Sequence, residues 1–281
     1  MVRAFYWNRH NDSDILCELC PHNCLIPLGG KGICEARENK GGELIAANYG
    51  LISSMAIDPI EKKPLYHFHS GRPILSVGSY NCNMDCGFCQ NHSIASPVQK
   101  QGRYISPEAL AEYAADIPNN IGVAYTYNEP LINYEFVLDT AKHVKAHGLN
   151  NVLVTNGLIN EKPLEALLPY IDALNIDLKG FTEEYYKMLG GSLQAILDTI
   201  SLAHKHCHIE ITFLVIPPEN EHHISDIAQF TASLSDSIPL HISRFFPMHR
   251  YIDKPATPPE TVLKLCETAS KYLKYVYSGN M

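Results

Sequence analysis

The hydrophobic pattern of the chain changes character at Pro73. From there onward, short apolar runs typical of buried strands alternate with segments whose apolar residues recur every three or four positions, as in amphipathic helices. The predicted strands are 74–78, 122–127, 151–155, 172–178, 208–216 and 240–246. The predicted helices are 134–147, 163–170, 224–234 and 259–272. Strands and helices that alternate in this way predict parallel βα units.

Chain length favours an open barrel over a closed one. A complete eight-unit barrel uses about 250 residues, or roughly 31 for each strand–helix unit. Residues 73–281 accommodate about six such units, so we expect an α/β fold with a partial (β/α)6 TIM-like barrel. In barrels of this kind, the residues that act on ligands lie at the C-terminal ends of the strands.

Residues 1–72 differ from the rest of the chain, since they are rich in glycine and cysteine and have no convincing periodicity. We expect a small N-terminal Cys-rich metal-binding segment and connector here, with the barrel domain occupying 73–281. The connector contains Asp-Pro-Ile-Glu-Lys-Lys-Pro-Leu at 58–65. A solvated loop is one interpretation, but two prolines that fix the path favour a specific conformation.

Composition narrows the class of protein. Hydrophobic residues at 46% and charged residues at 19% are ordinary for a soluble globular protein, and a net charge of -8 argues against a nucleic-acid partner. The start of the chain has no apolar signal region, and no later apolar run is long enough to span a bilayer. We therefore expect a cytoplasmic protein, in which nine cysteines indicate metal ligands and core thiols instead of disulfides.

Three cysteines in one short run carry the clearest chemical signal. They are Cys82, Cys86 and Cys89, spaced x3 and then x2. Three thiolates at this spacing can bind one face of a four-iron cube and leave the fourth iron open to another ligand. A ferredoxin-like electron carrier would close the set with a fourth cysteine, and a zinc site usually contains a C-x2-C pair with a second pair elsewhere. The spacing therefore favours an open [4Fe-4S] cluster over a structural zinc knuckle.

Polar residues interrupt the apolar pattern where four of the predicted strands end. The segments are Thr126-Tyr127-Asn128-Glu129-Pro130, Thr155-Asn156-Gly157, Asp177-Leu178-Lys179 and Pro247-Met248-His249. Each of them alone could be a turn or a solvated strand end, and Asn-Gly is a common turn. Four such segments at one rim of a barrel, above a loop with three cysteines, indicate a ligand site.

The cysteine run resembles the signature of the radical S-adenosylmethionine (radical SAM) enzymes, C-x3-C-x-aromatic-C, with Phe88 in the aromatic slot. Over essentially the whole chain, the motifs are similar to the branch that includes pyruvate formate-lyase activating enzyme. They look closest to the AmmeMemoRadiSam-system enzymes. Those share the Cys-Glu-Leu-Cys-Pro-His-Asn-Cys start, the Asp-Pro-Ile-Glu-Lys-Lys-Pro-Leu-Tyr-His-Phe connector, and the Tyr-Asn-Glu-Pro, Thr-Asn-Gly and Asp-Leu-Lys motifs.

This resemblance implies a set of residues that bind S-adenosylmethionine (SAM) after the second and third predicted strands. In the activating enzymes, a Gly-Gly-Glu segment holds the methionine amine of SAM. Tyr127, Asn128 and Glu129 occupy that place here, so Glu129 carries over directly and Asn128 is its expected neighbour in the site. Thr155 and Asn156 match the Thr-Asn-Gly that lines the SAM pocket.

Two later strand ends complete the implied SAM site. Asp177 and Lys179 match an Asp-x-Lys near the sugar and carboxylate of SAM. His249 matches the histidine of a Pro-x-His that contacts SAM, although Met248 replaces the usual tyrosine. The residue types suit a zwitterionic methionine tail, because it needs an acid for its ammonium and a cation for its carboxylate.

The resemblance also implies the chemistry. The reduced cluster would pass one electron into SAM, which splits into methionine and a 5′-deoxyadenosyl radical that abstracts hydrogen from an unknown substrate. Such a cluster works near the low end of the roughly −700 to +450 mV range of clusters, so a flavodoxin- or ferredoxin-like donor is implied. The alternatives are a glycyl-radical enzyme activase that acts on a partner protein and, outside enzymes, an iron–sulfur electron carrier or metal-binding scaffold.

A second cysteine set lies near the start of the chain. It consists of Cys17, Cys20, Cys24 and Cys34. Four exposed thiols have no packing reason to cluster, so the set predicts a metal site. A C-x2-C pair suits zinc, which we favour, and also a second iron–sulfur cluster, so both identities stay open.

Overall fold

The computed structural model describes residues 1–95 and 102–281. Its N-terminal part is built from short antiparallel strands. They are β1 (Val2–Arg3), β2 (Trp7–Arg9), β3 (Ile15–Cys17), β4 (Leu25–Ile26), β5 (Arg37–Lys40), β6 (Glu43–Ala46) and β7 (Leu51–Ile52). Two three-stranded sheets result, with the orders β1-β6-β5 and β2-β3-β4. Hairpins of this size bury little apolar surface alone, so they depend on docking to a larger body.

An eight-stranded sheet forms the centre of the molecule. The later strands are β8 (Ser54–Pro59), β9 (Pro73–Gly78), β10 (Arg103–Tyr104), β11 (Gly122–Tyr125), β12 (Asn150–Thr155), β13 (Ala173–Asp177), β14 (His208–Val215), β15 (Leu240–Arg244) and β16 (Val276–Gly279). The sheet order is β16-β15-β14-β13-β12-β11-β9-β8, while β10 pairs with β7. All neighbours from β9 to β16 are parallel, and β8 is antiparallel to β9. The predicted six strands and the α/β class are confirmed.

The sheet extends beyond the prediction at both edges. β16 adds a seventh parallel strand, and β8 pairs with β9 from Ser54 opposite Gly78 to Pro59 opposite Pro73. The hydrophobic pattern does not reveal these strands because edge strands are short and partly solvated, and Ile57 is 51% exposed. The sheet therefore begins within residues 1–72. In the described part of the chain its end strands do not pair with each other, which makes the barrel partial.

A single helical turn, α1 (His92–Ala95), follows the cysteine run and buries no residue. Longer helices cover the outer face of the sheet, and they are α2 (Pro107–Asp116), α3 (Tyr134–Ala146), α4 (Glu161–Leu167), α5 (Glu183–Met188), α6 (Leu193–His204), α7 (Ile224–Leu234) and α8 (Pro259–Ala269). Ser106 and Ser192 begin α2 and α6 by accepting backbone N–H bonds, and Gly148 follows α3 at φ +72°. None of the helices that the structure describes has the length and apolarity needed to cross a bilayer.

Two apolar clusters occupy opposite faces of the sheet. Leu75 and Val77 of β9 belong to the large cluster that includes the helices, whereas Ile74 belongs to a small cluster on the other face. This division follows from the two-residue period of a strand. The small cluster also contains Ile60 and Leu65. The connector therefore fills part of the interior of the barrel, under the rim where the strands end.

Hydrogen bonds give the connector a defined path. Glu210 of β14 is fully buried and accepts the backbone N–H groups of Tyr66 at 3.0 Å and His67 at 2.7 Å. Asn175 of β13 donates to the carbonyl oxygen of Pro64 at 2.8 Å. Polar side chains from the interior faces of the strands thus satisfy the backbone of an irregular segment that is enclosed in the barrel.

Candidate active site

The three cysteines of the x3–x2 run lie on one loop, residues 79–91, which follows β9 and which we term the cysteine loop. Phe88 is buried, and its ring meets the ring of Tyr251 edge-on at 5.7 Å between centroids. A Cβ atom on Gly87 would lie 2.7 Å from a ring carbon of Tyr251, so any larger residue would force the loop or the ring to move. The loop is thereby packed against the segment that follows β15.

Burial shapes the chemistry of the thiols. It raises the pKa of Cys82 and Cys89, and it raises the pKa of Cys86 to about 11. The charge of Lys179 counteracts this effect at Cys86 and Cys89. The sulfur of Cys82 accepts hydrogen bonds from the backbone N–H of Met84 at 3.4 Å and from the side-chain amide of Asn156 at 3.5 Å.

Glu129 joins the ends of β11 and β12. Its carboxylate is 3% exposed and accepts hydrogen bonds from the hydroxyl of Thr155 at 2.7 Å, the backbone N–H of Asn156 at 2.8 Å and the backbone N–H of Leu131 at 2.9 Å. Burial raises its pKa to about 7 in spite of these bonds. The structure thus brings Glu129, Thr155 and Asn156 together, and Asn156 extends the group to Cys82.

Asn128 connects the same strand end to the cysteine loop. Its side-chain oxygen accepts the backbone N–H of Ser79 at 2.8 Å, and its amide donates to the carbonyl oxygen of Asn81 at 3.0 Å. The preceding residue, Tyr127, has a φ of +72°, a conformation that costs free energy in a non-glycine residue. In the structure, Asn128 therefore orients the backbone that leads into Cys82.

Lys179 and Asp177 stand at the end of β13. Their side chains form an ion pair at 2.8 Å. Burial lowers the pKa of Lys179, but the charges of Asp177 and Cys86 and the hydrogen bond to Asp177 together outweigh it, so the net pKa is raised and the ammonium stays charged. Because its charge also favours the thiolates of Cys86 and Cys89, Lys179 is a cation next to the cysteine loop.

His249 lies in the segment between β15 and α8. Its φ is +53°, and its ring stacks on His92 with centroids 4.6 Å apart and planes 15° apart. The next residue, Arg250, forms an ion pair with Asp85 in the cysteine loop at 2.9 Å. The structure therefore places His249 beside the cysteine loop, although its ring contact is to His92.

Sequence reasoning did not identify Asn81, His92 and Arg250. Asn81 directly precedes Cys82, has a φ of +71°, and is buried with no protein partner for either polar atom of its side chain among the described residues. A non-glycine residue in this conformation beside a metal-ligand motif could have served as a signal, but φ is not visible in a sequence.

The N-terminal cysteines lie close to the same loop. Cys17, Cys20 and Cys34 are buried and Cys24 is half-buried, so the expectation that these thiols are exposed is wrong. Burial raises the pKa of the three buried thiols, and nearby backbone groups offset this rise only in part. The N–H of Ile33 approaches the sulfur of Cys24 at 3.5 Å. His22, between Cys20 and Cys24, donates from Nε2 to the carbonyl oxygen of Asn83 at 2.7 Å.

Comparison with known proteins identifies the protein family. A family model described as the Radical SAM superfamily matches residues 76–231, which include the cysteine loop and the ends of β11, β12 and β13. The chain belongs to the Radical SAM superfamily. Membership in this family implies a [4Fe-4S] cluster and SAM as cofactors.

The relatives place the chain within the family. An uncharacterized protein of Methanocaldococcus jannaschii is 39% identical over 100% of this chain and 86% of its own length. The pyruvate formate-lyase 1-activating enzyme of Escherichia coli is 26% identical over 48% of this chain, which spans only 58% of that relative. The resemblance to this branch is confirmed, while the narrower resemblance to AmmeMemoRadiSam-system enzymes stays a prediction.

A solved structure supports the fold alone. The crystal structure of Streptococcus suis SuiB bound to S-adenosylmethionine is 15% identical, with a TM-score of 0.59, and covers 74% of this chain and 52% of that chain. At this identity the similarity extends to the architecture and not to the residues of the site.

The donor set suits the implied cofactors. No three His, Cys, Asp or Glu side chains within residues 1–95 and 102–281 stand in a ready-made metal-binding arrangement, so the fit rests on chemistry. Buried thiols with a raised pKa become thiolates once a metal supplies the compensating charge. The buried amide of Asn81, whose polar atoms lack protein partners, provides hydrogen-bonding capacity for a ligand directly beside Cys82.

Proposed function

We propose that this protein binds a [4Fe-4S] cluster through Cys82, Cys86 and Cys89 and cleaves SAM reductively to abstract a hydrogen atom from a substrate. One observation carries the proposal: the amide of Asn156 reaches the sulfur of Cys82 at 3.5 Å, while its backbone N–H binds Glu129. The cysteine loop and the ends of β11 and β12 thus form one hydrogen-bonded unit. When bound, the cluster supplies the electron that splits the sulfonium into methionine and a 5′-deoxyadenosyl radical.

The chain's own residues would bind and orient SAM. Asn128, Thr155 and Asn156 fix the loops, and Glu129 is the acid for the methionine ammonium. Lys179 is the cation for its carboxylate, held in place by Asp177 at 2.8 Å. We assign His249 to the outer side of the site, and Phe88 to packing that holds the cysteine loop. Reduction of the cluster requires a flavodoxin- or ferredoxin-like partner.

A protein substrate is the second part of the proposal. It is supported by the similarity to a relative named as an activating enzyme of pyruvate formate-lyase, of which this chain spans 58%. The corresponding activity would be hydrogen abstraction from a backbone glycine of a partner protein. Incubation with a candidate partner and SAM would then give a protein radical that is visible by electron paramagnetic resonance (EPR).

A metal site at the N-terminal cysteines is the third part. The four sulfurs lie on one compact segment, and the backbone N–H of Ile33 is directed at the sulfur of Cys24 at 3.5 Å. Backbone N–H groups directed at sulfur stabilise thiolate ligands, because they compensate the negative charge without competing for the metal. Zinc in a four-thiolate site is the occupant that we favour, and a second iron–sulfur cluster is the alternative.

The main proposal is tested by turnover. Protein reconstituted anaerobically with iron and sulfide, then given dithionite and SAM, should release 5′-deoxyadenosine. Cys86→Ala should abolish the product, whereas Cys207→Ala, which changes a cysteine outside both sets, should not. Equal product from the wild-type protein and Cys86→Ala would refute the proposal.

A further inference from the structure

The N-terminal cysteine set and the cysteine loop meet at one residue, His22. Its ring donates from Nε2 to the carbonyl oxygen of Asn83 at 2.7 Å, and Asn83 follows Cys82 directly. A carbonyl can only accept, so the ring carries its proton on Nε2. The backbone of His22 lies between Cys20 and Cys24, in a turn that is closed by a hydrogen bond from the backbone N–H of Asn23 to the carbonyl oxygen of Cys20 at 3.1 Å. One residue thus belongs by its backbone to the first cysteine set and contacts the loop of the second set by its ring.

Asn83 follows Cys82 directly, so the contacts that hold Asn83 also position Cys82. Asn83 is buried, and its side chain donates to the carbonyl oxygen of Leu158 at 2.8 Å and accepts from the amide of Asn156 at 3.0 Å. That amide also reaches the sulfur of Cys82. Asn83 is therefore held by three hydrogen bonds, and the one from His22 is the bond that comes from the N-terminal segment.

A second set of hydrogen bonds also joins the N-terminal segment to the barrel. The backbone N–H of Asn160 donates to the carbonyl oxygen of Leu19 at 3.0 Å, and its side chain donates to that of Glu18 at 2.8 Å. Asn160 lies in the segment between β12 and α4, four residues after Asn156. The stretch that carries Cys17, Cys20 and Cys24 thus rests on both the cysteine loop and the β12 loop.

From these contacts we propose that His22 is a positioning residue that couples the N-terminal cysteine site to the cysteine loop. A metal ion held by Cys17, Cys20, Cys24 and Cys34 fixes the backbone of His22, and His22 then fixes the Cys82 segment in the arrangement that binds SAM. This inference rests on the proposed function for its effect on SAM, but not for the coupling itself. Metal occupancy near the N-terminus thereby controls a site 60 residues later in the chain.

The coupling is tested without turnover by hydrogen–deuterium exchange. The full-length Cys86→Ala/Cys89→Ala variant leaves the cysteine loop with a single thiol, so that added Zn²⁺ reports on the N-terminal set. We expect Zn²⁺ to slow exchange in peptides covering 80–91, and we expect His22→Phe in the same background to remove that effect while exchange in β13 and β14 stays unchanged. Equal protection by Zn²⁺ with and without His22, or no protection in either protein, would overturn the proposal.

The effect on SAM is measured in the reconstituted wild-type chain. His22→Phe should raise the KM for SAM about three- to tenfold, the range expected for one lost hydrogen bond at a buried carbonyl, with kcat changed less and metal content unchanged. His22→Gln keeps an N–H donor and should restore much of the affinity, and His10→Phe in the same segment is the matched control. An unchanged KM and an unchanged SAM-induced shift of the reduced cluster's EPR spectrum in His22→Phe would refute the inference. The absence of 5′-deoxyadenosine from the wild type would instead refute the proposed function.

Discussion

Arg37 of β5 and Glu135 of α3 form a salt bridge that is almost completely withdrawn from water. The guanidinium donates to both carboxylate oxygens, at 2.8 and 3.0 Å, and the two side chains are 1% and 0% exposed. Glu135 also accepts the backbone N–H of Phe5 at 2.7 Å. The N-terminal segment is therefore attached to the barrel through a buried ion pair, in which neither charge has water to replace its partner.

Removal of one partner from this pair should be costly. Arg37→Met leaves the carboxylate of Glu135 buried without its counter-charge, and we expect the free energy of unfolding to fall by about 3–5 kcal/mol. The double variant Arg37→Met/Glu135→Leu should recover most of this loss. Urea denaturation measures both. Lys274→Met breaks an exposed pair with Asp236 and, as a control, should change stability by less than about 1 kcal/mol.

The sequence was informative where local pattern and structure coincide. The six interior parallel strands could be predicted because strands covered on both faces are nearly continuous apolar runs. β8 and β16 could not, since edge strands with solvated residues such as Ile57 have the composition of loops. The path of the connector through the barrel interior was equally invisible, because it depends on Glu210, which lies far away in sequence.

The same distinction applies to the site. Cysteine spacing and polar strand ends made Cys82, Glu129 and Lys179 candidates because short sequence motifs contain them, and the structure places them around the cysteine loop. His22 and Arg250 were missed, since each binds the cysteine loop from a distant part of the chain and neither belongs to a periodic pattern. Contacts of this kind are set by tertiary packing, which local sequence does not encode.

Glu210 should make stability depend on pH. Burial would raise its pKa, but hydrogen bonds from His208 and His241 and from two backbone N–H groups lower it from 4.5 to about 2. A carboxyl whose pKa is depressed on folding stabilises the protein above its unfolded pKa, and this stabilisation is lost as the pH falls from about 4.5 through about 2. The shift corresponds to roughly 3 kcal/mol.

Glu210→Gln tests this dependence. The variant should lose roughly that amount at pH 7 and show a flatter decline of unfolding free energy between pH 5 and pH 2, measured by denaturant titration at each pH. Because Glu210 fixes the backbone of the connector, amide exchange at 60–68 should also accelerate. If the unfolding free energy of the variant falls as steeply between pH 5 and pH 2 as that of the wild type, other carboxyl groups cause the acid dependence of stability.

Gly87→Ala should damage the cysteine loop specifically. The new Cβ atom would lie 2.7 Å from a ring carbon of Tyr251, so either the loop or the ring must move, at a cost of about 1–3 kcal/mol. We expect less iron per chain after reconstitution, with the free energy of unfolding lowered by at most that amount. Gly87→Ala/Tyr251→Leu removes the ring and should regain iron. If the single variant binds iron like the wild type, the packing of Tyr251 does not constrain the loop.

The two cysteine sets should respond differently to the loss of one ligand. Cys89→Ala should abolish the cluster's absorbance and SAM cleavage but leave the barrel folded, because the cysteine loop lies at the rim above β9 and not in the core. Cys20→Ala should mainly destabilise the N-terminal segment, since binding free energy at a structural metal site is folding free energy. Limited proteolysis and circular dichroism distinguish the two outcomes.

The identity of the N-terminal metal follows from the triple variant Cys82→Ala/Cys86→Ala/Cys89→Ala, which leaves Cys17, Cys20, Cys24 and Cys34 intact. About one zinc per chain with no iron is the result we expect, because four thiolates that include a C-x2-C pair satisfy tetrahedral zinc completely. About four irons per chain would mean that a second cubane occupies these sulfurs. Since a four-thiolate site leaves no open iron, such a cluster could transfer electrons but would not bind SAM, and SAM cleavage should be absent from this variant with either metal.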